Sequence, residues 1–445
     1  MSKEHIVIRE YACLTTEKII PSLDMAQITP SAFDWLCRLS AGFSRNGATL
    51  LQVEDRRSLK WDSYVGVLET PCGTRIEILP KTHDEGPLAE SRRLLCKLIQ
   101  HALNLKPRKA SPAGLELFDA PLSEWVMGQF LGELDLLIKR GVRFEYQRVE
   151  EEQPYLRGQL NVVAQMRQPA GRQHRFQLRH DVFLPNRAEN RLLKLALEHV
   201  ANATGDASNW RLANELRAIL AEVPASRQAS NDFALWSRDR LMAHYQPIRP
   251  WCELILNQYM PLAVSGNWQG ISMLFPMERL FERYVEGWLR RTLSPDAVLK
   301  AQSADQYLCH HASRRMFCLK PDLLIDTAEQ RWILDTKWKR VDVARPEQNY
   351  GLSQGDFYQL FAYGHKYCRN GELPKLVLIY PAWSGFQQAL PPFEYGGSMN
   401  LWVLPFDLDA DVLKGHELVG LPLSKALQTK ALSSNCESHG EVAAI

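Results

Sequence analysis

The sequence is poor in most of the features that announce a function. Its 53 Lys and Arg against 51 Asp and Glu leave only +2 at pH 7, which argues against a protein that coats nucleic acid over its whole surface. Its nine cysteines, at 13, 37, 72, 96, 252, 309, 318, 368 and 436, are odd in number and never in CxxC spacing. Neither a disulfide framework nor a zinc knuckle is indicated, and reduced thiols are expected. Cys309, His310 and His311 lie together, but Cys318 is the only nearby fourth candidate, so they read as structural or solvated. No G-x-x-x-x-G-K-[ST] loop occurs, so the chain alone is expected to bind and hydrolyse no nucleotide. No apolar run approaches the roughly 20 residues that cross a bilayer, and MSKEHIVIREY has no apolar core after Lys3. A soluble, unexported, cytoplasmic protein with no membrane partner is expected. No internal repeat is visible.

What is present suffices for several domains, since 445 residues at 45% hydrophobic composition can bury ordinary cores. Residues 1 to 105 read as a small β-rich module, with strands at His5 to Arg9, Tyr64 to Glu69 and Arg75 to Leu79, the turn Pro71 to Thr74, and a helix from Leu88 to Leu103. Residues 106 to 250 read as mainly helical, with helices at Trp125 to Lys139, ended by Gly141, at Glu189 to Ala203 and at Asn209 to Glu222. From 251 to 428 the order is helix, hairpin, helix, then strands at Leu376 to Tyr380 and Leu401 to Leu404, a mixed-sheet α/β core behind an α+β front half. The tail 429 to 445, rich in Ser and small residues, is expected to be disordered.

The most informative stretch is LKPDLLIDTAEQRWILDTKWKR, Leu319 to Arg340. Two apolar runs flank the polar break Thr327 to Gln330, as in a β-hairpin. With that break as the loop, Asp326 pairs with Arg331, and counting inward puts Asp322 opposite Asp335. Strand period two places Lys337 on the face of Asp335, with Trp332, Leu334 and Thr336 turned the other way into a core. Facing carboxylates destabilise a sheet, and one lysine cannot neutralise both, so a hard cation bridging Asp322 and Asp335 is the natural resolution. Mg²⁺ fits, and Mn²⁺ could substitute. Such an ion polarises a phosphodiester and activates water, while an ammonium beside it offsets developing charge. The plainer alternative is a surface hairpin with solvated charges.

Two helices accompany the hairpin. MLFPMERLFERYVEGWLRRTL opens at Pro276 and carries the stripe Leu280, Phe281, Tyr284, Trp288 and Leu289, with Glu282 at its edge. GDFYQLFAYGHKY puts Gln359 and Tyr363 one turn apart, with Asp356 three residues before Gln359. The plainer alternative is a solvated helix face for Glu282, beside Arg279 and Arg283, and a polar helix surface for Gln359 and Tyr363.

Glu on a first helix, then PD, DxK and QxxxY, resembles the PD-(D/E)xK restriction-endonuclease-like superfamily in its RecB-like form. More narrowly, LFERYV (280 to 285), KPDLLI (320 to 325), LDTKWK (334 to 339) and DFYQLFAY (356 to 363) resemble the McrC family of McrBC modification-dependent restriction systems. The likeness extends through YVGVLETPCGTRIEILPK (64 to 81), LRGQL (156 to 160) and ENRLLKLAL (189 to 197), covering roughly Ile6 to Leu408. It implies Asp322, Asp335 and Lys337 as the catalytic triplet, Glu282 and Gln359 as further catalytic positions, and Tyr363 as accessory. It also implies a Mg²⁺-dependent endonuclease cutting double-stranded DNA in a GTP-dependent, 5-methylcytosine-type restriction complex. The partner would be a hexameric AAA+ GTPase resembling McrB, docked by the front half and stimulated by this chain. A non-catalytic GTPase-activating subunit and a stand-alone RecB-like nuclease are the alternatives.

Local charge bears on DNA. Between Arg157 and His180 lie Arg157, Arg167, Arg172, Arg175 and Arg179 with no Asp or Glu, and Lys339 and Arg340 follow the hairpin. These seven are the candidate DNA contacts. For the arginine stretch, a solvated basic strand pair or a surface for an acidic protein partner explains the pattern as well.

Overall fold

The structure, a computed structural model, describes residues 5–44, 49–81, 87–103, 121–172, 174–256, 272–369, 371–396 and 399–424. The tail from 429 lies outside the described residues. The front of the chain runs β1 (His5–Arg9), β2 (Cys13–Thr15), β3 (Met25–Gln27), α1 (Pro30–Ser44), β4 (Leu51–Val53), β5 (Ser58–Trp61), β6 (Tyr64–Glu69), β7 (Arg75–Leu79) and α2 (Leu88–Ala102). One sheet has the order β3-β2-β5-β4, and β1-β7-β6 lie in a second. Ile8, Leu14, Leu36, Leu59, Trp61 and Ile76 share one core. YVGVLE in β6 is buried at every position, as expected of a strand covered on both faces. Glu77 of β7 is fully buried and is met by Arg92 of α2 through Nε to Oε1 at 3.0 Å and a terminal nitrogen to Oε2 at 2.7 Å. A buried carboxylate requires such a charge-assisted pair.

The middle runs α3 (Leu122–Arg140), β8 (Glu145–Gln153), β9 (Gln159–Leu160), α4 (Val162–Met166), β10 (Phe176–Leu184), α5 (Ala188–Ala203), α6 (Ala207–Ile219), α7 (Ala229–Ala234) and α8 (Arg249–Leu256). The apolar stripes of α3, α5, α6 and α8 meet in a core that continues into the last third of the chain. The region expected to be mainly helical therefore also holds a β-ribbon. β8 and β10 pair antiparallel from Leu184↔Glu145 to Phe176↔Gln153, with β9 along the other edge of β10. EYQRVEEEQ alternates only between exposed and half-buried positions, so no apolar face marked it in the sequence.

The last third runs β11 (Met273–Pro276), α9 (Met277–Thr292), β12 (Val298–Ala301), β13 (Gln306–His311), β14 (Arg314–Leu319), β15 (Leu323–Asp326), β16 (Arg331–Thr336), α10 (Gln354–Lys366), β17 (Lys375–Pro381), β18 (Phe393–Glu394), β19 (Asn400–Asp407) and β20 (Val412–Leu413). The large sheet has the order β12-β15-β16-β17-β19-β18, with β20 beside β19. β16, β17 and β19 are parallel neighbours and the other pairs antiparallel, giving a mixed sheet. Trp332 and Leu334 pack with Phe281 and Tyr284 of α9, whereas Ile333 packs with Leu360 and Tyr363 of α10. The two helices thus cover opposite faces, as period two along β16 requires.

MLFP, expected to lead into a helix, is itself a strand. β11 joins the front sheet by pairing with β6 from Met273↔Val67 to Pro276↔Tyr64. Gly66 permits this: its φ is +132°, and a Cβ there would stand 1.9 Å from the Met273 carbonyl oxygen.

Candidate active site

The β15–β16 hairpin has the register its sequence suggests, from Asp326↔Arg331 at the loop to Leu323↔Leu334. Arg331 Nε meets Asp326 Oδ1 at 2.6 Å, and Thr327 N donates to Gln330 O at 3.0 Å, closing the four-residue loop. One step beyond Leu323↔Leu334 the same register sets Asp322 against Asp335. Both lie on the α10 face, the face of Leu324 and Ile333. Asp322 is held from below: its Oδ2 accepts from the Thr336 amide at 2.7 Å and the Thr336 hydroxyl at 2.9 Å.

Asp335 is 1% exposed, and its Oδ2 lies 2.5 Å from Lys337 Nζ. The contact is a charge-assisted ion pair. Burial, reinforced by the Asp322 charge, pushes the Asp335 carboxyl up to about 7. Burial works against the Lys337 ammonium, but Asp335, Asp356 and Asp322 outweigh it and hold its pKa above the usual lysine value. Asp356 Oδ1 stands 3.9 Å from Lys337 Nζ.

Glu282 comes from α9, and Gln302 Nε2 donates to its Oε1 at 2.9 Å. Burial, then the neighbouring Asp322, raises its pKa. Gln359 and Tyr363 meet as their spacing demands, Gln359 Nε2 to the Tyr363 hydroxyl at 2.6 Å, and that hydroxyl donates to Lys320 O at 2.9 Å. Tyr363 is buried, not part of a solvated face. The QxxxY pair therefore clamps the backbone two residues before Asp322.

Three residues not singled out as site residues from the sequence belong here. Thr336 anchors Asp322, and Asp356 faces Lys337. Glu278, raised by burial, feels the Lys337 charge and receives a hydrogen bond from Ser63 at 3.3 Å. Its only sequence signal is its position one turn before Glu282. Lys339 is exposed, whereas Arg340 donates to Lys81 O at 3.0 Å and lies 5.1 Å from the Trp383 ring centroid. Of the arginine stretch, Arg175 pairs with Glu152 at 2.9 Å and Arg179 with Glu150 at 2.5 Å across the ribbon. Arg157, Arg167 and Arg172 are exposed.

Among the described residues no three His, Cys, Asp or Glu side chains form a complete metal-ligand group. Asp322 and Asp335 nevertheless fit Mg²⁺, which keeps several waters and takes one or two carboxylates. The burial of the Asp335 carboxylate and its unfavourable facing of Asp322 are what a hard cation would relieve. Cys309, His310 and His311 are exposed and form no such group. Among the described residues no helix is long and apolar enough to cross a membrane.

Among solved structures, a half-complex of Thermococcus gammatolerans McrB AAA+ hexamers with bound McrC matches at 17% identity, covering 97% of this chain and 99% of that one, with a TM-score of 0.68. A second T. gammatolerans McrBC complex structure matches at 19% identity over 64% of this chain and 87% of the other, with a TM-score of 0.47. No curated protein matches the chain. The first likeness extends over the whole mixed α/β architecture. The family of McrBC 5-methylcytosine restriction system components matches residues 59–381, a span that includes the hairpin, both flanking helices and most of the front half, and the chain belongs to that family.

Proposed function

We propose that the chain is the DNA-cutting subunit of a GTP-dependent, modification-dependent restriction complex, a Mg²⁺-dependent endodeoxyribonuclease with a PD-(D/E)xK core that works in the cytoplasm. The observation that carries this reading is the buried Asp335, set opposite Asp322 and 2.5 Å from the Lys337 ammonium. Asp322 and Asp335 would hold the ion, which supplies polarisation of the scissile phosphate and a bound water of lowered pKa. Thr336 fixes the aim of Asp322. Lys337, kept charged by its carboxylate neighbours, stabilises the negative charge that grows on the phosphate. Glu282, whose raised pKa favours taking up a proton, is suited to accept one from the attacking water. Gln359 and Tyr363 position the strand that carries Asp322.

The family, and the lack of a phosphate loop in the sequence, support a separate AAA+ GTPase hexamer as partner, docked by the front half. The first solved relative, described as McrB AAA+ hexamers with bound McrC, supports the same pairing. Arg157, Arg167, Arg172 and Lys339 are candidate contacts to the duplex. The reading is tested by reconstitution. The isolated chain should cut methylated duplex little at physiological salt, and adding the partner and GTP should give double-strand cleavage. Asp322→Ala with Asp335→Ala should abolish cutting yet leave stimulation of GTP hydrolysis. Cutting by that double variant at the parent rate would remove the site assignment, and efficient cutting without nucleotide would make the chain a stand-alone nuclease.

A further inference from the structure

We propose that the β13–β14 hairpin is an arm that grips duplex DNA next to the candidate active site; this rests on the nuclease reading above. The hairpin belongs to no larger sheet, since β13 and β14 pair only with each other. Every residue from 306 to 318 except Tyr307 is exposed, on both faces. Its turn is tight: Ala312 and Ser313 have φ of +47° and +63°, positive at both central positions as in the turns that match strand twist.

A two-stranded ribbon with neither face in a core is marginal alone. This one is secured at its root. The Tyr367 hydroxyl lies 3.0 Å from Ser303 O and 2.9 Å from Leu319 O, bridging the chain on either side of the hairpin, and Tyr363 donates to Lys320 O. The result is a projecting arm on a fixed base.

Charge selects its occupant. From 306 to 321 the chain carries Arg314, Arg315, Lys320, His310 and His311 and no Asp or Glu. Among the described residues no carboxylate pairs with Arg314, Arg315 or Lys320. Arg175 and Arg179 on the other ribbon, by contrast, are already held by glutamates. Leu308, Met316 and Phe317 add exposed apolar surface, and the Arg315 guanidinium lies 5.5 Å from the Tyr307 ring centroid. A basic two-stranded ribbon fits the major groove, about 12 Å wide, with cations on phosphates and apolar tips against base edges. Continuity fixes the place: Leu319 is followed by Lys320, Pro321 and Asp322. DNA held by the arm lies where Asp322 begins the catalytic hairpin.

The test uses the full chain and a short fluorescein-labelled duplex without metal, read by anisotropy over a salt series. Arg314→Ala with Arg315→Ala should weaken binding about tenfold and lower the log–log salt slope by about 2, with unchanged thermal melting. In the complex with its GTPase, the same variant should lose cleavage at limiting DNA and recover the parent rate at saturating DNA. Parent affinity and slope in the variant would overturn the proposal. So would a change confined to self-association of the DNA-free chain, which would make the hairpin an interface between copies. The site assignment is scored separately by Asp335→Ala: if that variant cuts like the parent while the arginine variant fails to bind, the assignment of Asp335 falls and the arm remains a DNA contact.

Discussion

Thr336 holds Asp322 through two hydrogen bonds to the same oxygen, one from its amide and one from its hydroxyl. The residue after one candidate ligand thus aims the other across the hairpin. Thr336→Val keeps the amide bond and loses the hydroxyl. Cleavage by the reconstituted complex should fall about 10- to 100-fold, as for other partners that orient a metal ligand, while Thr336→Ser should stay near the parent rate. Single-turnover cleavage checks this; equal rates for the two variants would mean the amide suffices.

Lys337 contributes to the transition state in the proposed mechanism. Lys337→Ala should leave duplex affinity in place and slow the chemical step about 10²- to 10³-fold. Lys337→Arg should not restore it, because a planar fork cannot take the place of a compact ammonium between Asp335 and Asp356. Weakened DNA binding with normal single-turnover cleavage would instead make Lys337 a phosphate anchor.

Tyr363→Phe removes the bond to Lys320 O and the partner of Gln359 while keeping the buried ring. A loss of about 1 kcal/mol in stability is expected, from urea melts, together with a fall in cleavage that Gln359→Ala does not deepen. Additive losses in the double variant would show that the two act separately.

Glu10 supplies the pH prediction. It is 1% exposed, accepts from the Lys81 amide and the Trp338 indole, and burial pushes its carboxyl up to about 7. An unfolded glutamate titrates near 4.3. Between those values the unfolded chain has released a proton that the folded chain keeps, so stability is full below the window, falls as pH rises through it, and levels above about 7. Glu10→Gln should flatten that fall, since its amide oxygen can still accept from both donors. Urea melts across the window decide it, and an unchanged slope would assign the titration elsewhere.

The hairpin was legible because its loop, its apolar runs and its closing Asp326 and Arg331 all fix one register, and α9 and α10 because their apolar spacing is helical. The β8–β10 ribbon was not. Its strands present polar residues on both sides, and its cross-strand pairs, such as Glu150 with Arg179, join positions far apart in sequence. For the same reason the arginine stretch looked unbalanced: its acidic partners precede Arg157. Thr336 as an anchor was hidden because period two assigns its side chain to the core face and says nothing of the amide and hydroxyl that meet Asp322.

The pairing of β11 with β6, past Gly66, hydrogen-bonds the strand that leads into α9 to the front sheet. The helix bearing Glu282 begins at Met277, one residue after a strand stitched into the front sheet, and Trp338, next to Lys337, ends on Glu10. A fragment cut at residue 251 would keep every catalytic side chain. It would also carry an orphaned strand edge and an indole nitrogen stripped of its acceptor. A tilt of the front sheet would therefore be passed through β11 to the start of the Glu282 helix.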